Sequence, residues 1–176
     1  MAHNEIDVAA APEAVFDVLS DPRAYARWVV GSQRIRRADA HFPAPGSAFD
    51  HAVGIGPLRL KDHSAVQACE RPRLLRLLVK ARPFTQAHVT LRLRPSADGS
   101  GTHVEMDEHP ADARSHLLMN ALTDPLVRLR NHESLRRLKA LAERREPMPS
   151  GPLPAREEPG EAAVEGSSRP AGPGGA

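Results

Sequence analysis

The chain has 176 residues, 24 basic against 22 acidic side chains, 40% hydrophobic and 3% aromatic residues, and a single cysteine. That length suits one domain with a real core, and its mild, dispersed basicity is not the concentrated footprint of a nucleic-acid binder. The lone Cys69 excludes an internal disulfide and fits a reducing compartment, and no run reaches the roughly 18 apolar residues of a membrane span.

Residues 3 to 10 alternate as a strand, with Ile6 and Val8 on one face. Pro12 then opens a helix in which Val15, Phe16 and Leu19 follow helical spacing. Asp21-Pro22 starts a second short helix by N-cap and Pro at the first position, with Tyr25, Trp28 and Val29 on its apolar face and Gly31 at its end. From there the period becomes two. Residues 33–39, 47–53, 58–69, 73–82, 86–94 and 102–109 read as six more strands, separated by PAPG, GIGP, ERP, RP and PSADGSG. Connections this short imply antiparallel neighbours rather than βαβ units. In QAHVTLRLR, Ala87, Val89, Leu91 and Leu93 face one way, and His88, Thr90, Arg92 and Arg94 the other, so one face of the sheet is covered and one is wet. The cover is the last element, a helix restarting at Thr123-Asp124-Pro125. Val127, Leu135, Leu138 and Ala142 share its stripe, with Leu126 and Leu129 flanking.

Composition changes after residue 146. From 147 to 176, sixteen of thirty residues are Pro, Gly or Ser and none is aromatic, too little apolar surface to offset ordering entropy. The expected organisation is one α+β domain over 1–146 and a disordered tail over 147–176. The opening MAHNEIDV carries no signal-peptide apolar run. We therefore expect a soluble, cytoplasmic protein, and the Ala/Arg/Pro-heavy usage points to a bacterial source.

The order β-α-α-β6-α, with APEAVFDVLSDPRAYARWVVG at the front, the hairpin PGSAFDHAVGIGPLRLKD and the closing DPLVRLRNHESLRRLKALAE, resembles the START-like SRPBCC superfamily in its polyketide cyclase/dehydrase branch. The resemblance covers roughly residues 3 to 143. It implies a helix-grip fold: a curved seven-stranded antiparallel sheet wrapped around a long C-terminal helix, with two short helices between strands one and two. It also implies a cavity for a small hydrophobic or polyketide-like molecule. For activity it is weak, since members range from cyclases to lipid carriers.

The hairpin carries Asp-His twice. If its turn is centred near Ile55-Gly56, opposed residues have numbers summing to about 113. His51 then faces Asp62 on the covered side with Phe49, Val53 and Leu60, while Asp50 and His63 face solvent. An imidazole beside a carboxylate in a covered interior is suited to removing an α-proton or to orienting a ligand; it also suits a purely structural cross-strand bond. Glu108 alternates with Met106 and Val104, so it either faces inward or sits at the cavity mouth, and an inward carboxylate needs a partner or water. Asn131 is a polar gap in the helix stripe, able to bind a ligand carbonyl or to tie down the sheet. Tyr25, Trp28 and Phe49 supply aromatic surface for a ligand or for the core.

The expected ligand-binding set is thus Tyr25, Trp28, Phe49, His51, Leu60, Asp62, Met106, Glu108 and Asn131, with His51 and Asp62 as the catalytic pair if the chain is an enzyme. Nine His occur without HxxH, HExxH or CxxC spacing, so neither metal nor cofactor is expected. The expected partner is a small hydrophobic molecule, with no nucleic acid and no membrane span, and the chain a monomer or dimer. Binding is the leading reading; a cyclase, aromatase or dehydrase is the alternative.

Overall fold

Helix α1 (Pro12–Ser20) starts where Pro12 needs no hydrogen-bond partner for its nitrogen, and it buries Val15, Phe16, Val18 and Leu19. The Asp21 carboxylate accepts from the Arg23 N–H at 2.9 Å and caps a 3-10 turn, Pro22–Ala24, that runs into α2 (Tyr25–Trp28). Gly31, at φ 93°, makes the left-handed turn out of it. The computed structural model describes residues 1–55, 58–81, 85–112, 124–144 and 153–155.

Seven strands form one sheet: β1 (Ala2–Val8), β2 (Ser32–Ala38), β3 (Ala48–Ile55), β4 (Leu58–Glu70), β5 (Leu74–Ala81), β6 (Thr85–Pro95) and β7 (Thr102–Pro110). Their order is β1-β7-β6-β5-β4-β3-β2, and every neighbour is antiparallel. Register shifts in β2–β3 and between Val66 and Ala68 in β4–β5 bend the ladder, as inserted residues do. The last helix, α3 (Asp124–Arg144), lies on the concave face, so this is the α+β helix-grip architecture. Asn131, Ser134, Leu135, Leu138 and Ala142 are its buried stripe, while Leu126 and Leu129 are exposed. Burying Leu135 and Leu138 contributes about 2–3 kcal/mol each.

Backbone and side chains of α3 also cover the outer edge of β1. The Asn4 amide donates to the Arg128 carbonyl at 3.1 Å, the Ala9 N–H to Glu143 at 2.8 Å, and Lys139 to the Asp7 carbonyl at 2.7 Å. Such cover blunts an edge strand. At the opposite edge, the Ala38 N–H donates to the Pro154 carbonyl at 3.3 Å, and Leu153 packs against the core. The rest of the segment assigned to a disordered tail lies outside the described residues.

β6 and β7 are joined by a turn in which Ser96 and Ser100 hydrogen-bond the Asp98 carboxylate and pull it down to about 2. At the end of that turn Gly101 comes against β1: a Cβ there would sit 2.1 Å from the Val8 carbonyl oxygen. Backbone cannot swing aside as a side chain does. Gly101→Ala is therefore expected to destabilise the fold by about 2 kcal/mol or more, read as a lower denaturant midpoint.

Candidate functional site

The β3–β4 ladder pairs His51 with Asp62, Asp50 with His63, Phe49 with Ser64 and Val53 with Leu60. Alternation then sends the two Asp-His pairs to opposite faces. Outside, His63 Nδ1 meets Asp50 Oδ1 at 2.9 Å, part-exposed. Inside, His51 Nε2 lies 3.1 Å from Asp62 Oδ2, with both side chains buried. That inner contact has ion-pair distance without the alignment of a hydrogen bond, and both ring nitrogens of His51 lack a hydrogen-bond partner among the described residues. Asp62 is held from behind by the His63 N–H, which donates to Oδ1 at 2.7 Å.

These residues open onto a cavity of about 150 Å³ between the concave face of the sheet, α2 and α3. Tyr25, Trp28, His51, Asp62, Met106, Glu108 and Asn131 all line it, as their strand and helix phases predict. Phe49 does not. It is completely buried one layer back, where the Tyr25, Phe42 and His51 rings enclose it at centroid distances of 4.6, 5.3 and 5.2 Å. Its part is to seat the His51 and Tyr25 rings. The side chain of Leu60 lies outside the described residues.

Glu108 faces inward, and its Oε2 accepts from the Asn131 amide at 2.9 Å and from the Arg130 guanidinium. Arg130 in turn donates to Asn131 Oδ1, with Nη2 at 2.9 Å. The carboxylate is thus an acceptor for two donors of α3, and the polar gap in the helix stripe is filled by the sheet. Tyr25 donates its hydroxyl to the Leu19 carbonyl at 2.9 Å. Burial, and to a lesser extent the nearby Cys69, push the phenol well above its usual range, so it stays neutral.

The cavity also takes in residues that reading the sequence did not single out. Ser64, Leu77, Val79 and Val89 follow from alternation along their strands. Ser32, at a bulge, and Ser134, whose hydroxyl accepts from the Val30 N–H at 3.1 Å, carry no signal of their own. Three residues that line this cavity, Trp28, Ser32 and His51, hold buried polar side-chain atoms with no hydrogen-bond partner among the described residues: Nε1, Oγ and both ring nitrogens respectively. A wider cleft of about 570 Å³ lies by the β6–β7 turn. It is open to solvent, and its Asp7 and His103 already pair with each other, so it does not compete as the ligand cavity.

A curved sheet gripping a helix over a small, partly polar cavity is the frame of a small-molecule-binding domain. Residues 2–143 match the family described as polyketide cyclase/dehydrase and lipid transport, and the chain belongs to that family. No curated protein matches it. Among solved structures, a protein of Rhodobacter sphaeroides superposes with a TM-score of 0.64 at 20% identity, covering 82% of this chain and 92% of the other. A protein of Chromobacterium violaceum gives 0.62 at 16% identity, with 80% and 96% covered. The di-domain aromatase/cyclase StfQ from the steffimycin biosynthetic pathway gives 0.64 at 13% identity, over 81% of this chain and 50% of StfQ. Likeness at these identities establishes the shared fold. Among the described residues, no helix is long and apolar enough to cross a membrane.

Proposed function

We propose that this protein binds one small, mainly apolar molecule, ring-sized and carrying at least one oxygen, in the cavity between the sheet and α3. The observation that carries this reading is that the cavity is lined by Trp28, Ser32 and His51, each of which holds a buried polar atom with no hydrogen-bond partner among the described residues. Buried donors and acceptors left alone cost roughly 1–3 kcal/mol each. A ligand oxygen among them recovers that cost, while Met106, Leu77, Val79 and Val89 supply the apolar contact. The volume supports a single ring over an extended chain, since a cavity volume of about 150 Å³ is on the scale of one that takes up benzene. A reducing cytoplasm is the setting that the free Cys69 favours.

Trp28 is the one tryptophan of the chain and lines the cavity, so it reports directly. Titrating full-length protein with phenolic and naphtholic compounds is expected to change its fluorescence saturably, with a one-to-one complex in native mass spectrometry. If no compound of this class binds, and none copurifies, the reading fails.

A second reading, a polyketide cyclase, aromatase or dehydrase, is favoured by the His51–Asp62 contact. In it His51 takes the α-proton of a bound polyketone and Asp62 steadies the resulting imidazolium; the enolate carbon adds to a second carbonyl carbon of the same molecule, whose π bond opens, and the alkoxide oxygen takes the proton back from His51. The acceptor role of Glu108 supports orientation of this assembly more than proton donation for loss of water.

A further inference from the structure

β1 and β7 carry the same spaced residues, His3-x-Glu5-x-Asp7 and His103-x-Glu105-x-Asp107. They pair antiparallel, His3 opposite Asp107, Glu5 opposite Glu105 and Asp7 opposite His103. The repeat therefore forms a local two-fold arrangement on the outer face of the sheet, opposite the face that holds Val104, Met106 and Glu108. Each imidazole is held through Nδ1 by the aspartate across from it: His3 by Asp107 at 2.7 Å and His103 by Asp7 at 2.8 Å. Both Nε2 atoms then turn toward the centre, each 3.7 Å from Glu5 Oε2, and His103 Nε2 is 3.8 Å from Glu105 Oε1.

We propose that Glu5, His103 and Glu105, with His3 beside them, form a binding site for a divalent first-row metal ion such as zinc. One ligand atom from each of these three residues lies within 4.8 Å of the others. Separations of 3.7–3.8 Å are too long for hydrogen bonds. They are close to the roughly 3.4 Å between neighbouring ligands that metal–N and metal–O bonds of about 2.1 Å give at a tetrahedral angle. Two glutamates directly opposed across a ladder repel, and a cation between them removes that repulsion. The aspartates bonded to Nδ1 are the outer partners that orient metal-binding histidines. Imidazole with carboxylate suits zinc and its neighbours in the series more than calcium or magnesium.

Arg94 is the opposing element, because its guanidinium also donates to Glu105. Seated there it neutralises one carboxylate and competes with the ion. The competition separates a metal site from a plain ladder of surface ion pairs. The ion would join β1, an edge strand, to β7, and it is independent of the ligand cavity.

The test uses full-length protein stripped with chelator, titrated with Co²⁺ by its visible d–d spectrum and with Zn²⁺ against a chromophoric indicator. One ion per chain is expected. His103→Ala, Glu5→Gln and Asp7→Asn should each weaken binding about tenfold or more, and Arg94→Gln should tighten it. His88→Ala, which removes an imidazole on the same face of β6 bonded to Gln67 at 2.8 Å, should leave binding unchanged. Glu5 is exposed and holds nothing in the core, so its variant stays folded and its result stands even if His103→Ala unfolds. Absence of stoichiometric binding, or binding indifferent to Glu5→Gln and Arg94→Gln, overturns the proposal.

Discussion

His51→Phe is expected to weaken ligand recognition about tenfold to hundredfold, and to abolish turnover if the chain is an enzyme, while the protein stays folded. Phenylalanine keeps a ring of similar shape against Phe49, which lies 5.2 Å from the His51 ring. It removes both nitrogens, which are buried without a hydrogen-bond partner among the described residues, on a residue that lines the cavity. Losing a polar contact of this kind costs about 1.5–3 kcal/mol of affinity where the partner is charged or desolvated, a tenfold to hundredfold loss. The variant also leaves Asp62 Oδ2 facing an apolar ring, though Oδ1 keeps the His63 N–H at 2.7 Å. Stability should fall by about 1–3 kcal/mol for that reason. The double variant His51→Phe with Asp62→Leu tests the division, because replacing both partners by apolar groups removes the uncompensated carboxylate. It should recover the lost stability without recovering binding, as read by urea unfolding and by Trp28 fluorescence. Undiminished binding or turnover in His51→Phe would remove His51 from the site.

Asn131→Leu is expected to be the most destabilising polar substitution of α3. Asn131 is 1% exposed, and its amide donates to Glu108, itself 5% exposed. Leucine leaves that carboxylate with the Arg130 guanidinium alone, and the loss of a bond to a buried charge sets the cost at about 2–4 kcal/mol. Arg130→Ala should cost less, about 1 kcal/mol, since the Arg130 side chain is 42% exposed and water screens and replaces it. Adding Glu108→Met to Asn131→Leu should restore most of the stability. The measurement is the free energy of unfolding in urea for the single and double variants, whose coupling isolates the pair. A larger cost for Arg130→Ala than for Asn131→Leu would mean that the guanidinium, not the amide, is the main hold on Glu108.

The hairpin was the most legible part of the site. The pairing of Ile55 with Leu58 fixes the register of its two strands, and alternation does the rest, so His51 opposite Asp62 and Asp50 opposite His63 follow from local chain geometry. The helix phase of Asn131 and the strand phase of Met106 and Glu108 were legible for the same reason. Alternation places Phe49 with the ligand-facing residues because it reports the face a residue points to and not the depth at which it stops. Four aromatic rings, Tyr25 and Trp28 of α2, Phe42, and Phe49 of β3, gather from three segments, and only their packing puts Phe49 behind His51. Ser32 was hidden by a bulge, which breaks the period that would have marked it.

By itself, then, the sequence determined the element order, the register of the β3–β4 hairpin and the covered faces of β3, β4, β6 and β7. Each of these depends on residues close together in the chain, where turn chemistry and a period of two or 3.6 leave few alternatives. Tertiary structure alone decided the volume of the cavity, the unpartnered nitrogens of His51 and the bonding of Glu108 to Arg130 and Asn131. It also decided that His3, Glu5 and Asp7 meet His103, Glu105 and Asp107 across the β1–β7 ladder. Those contacts join segments far apart in sequence, and no local periodicity encodes them. They are set when the distant strands pair and α3 packs onto the sheet, because only then do the same few side chains have to share one buried space.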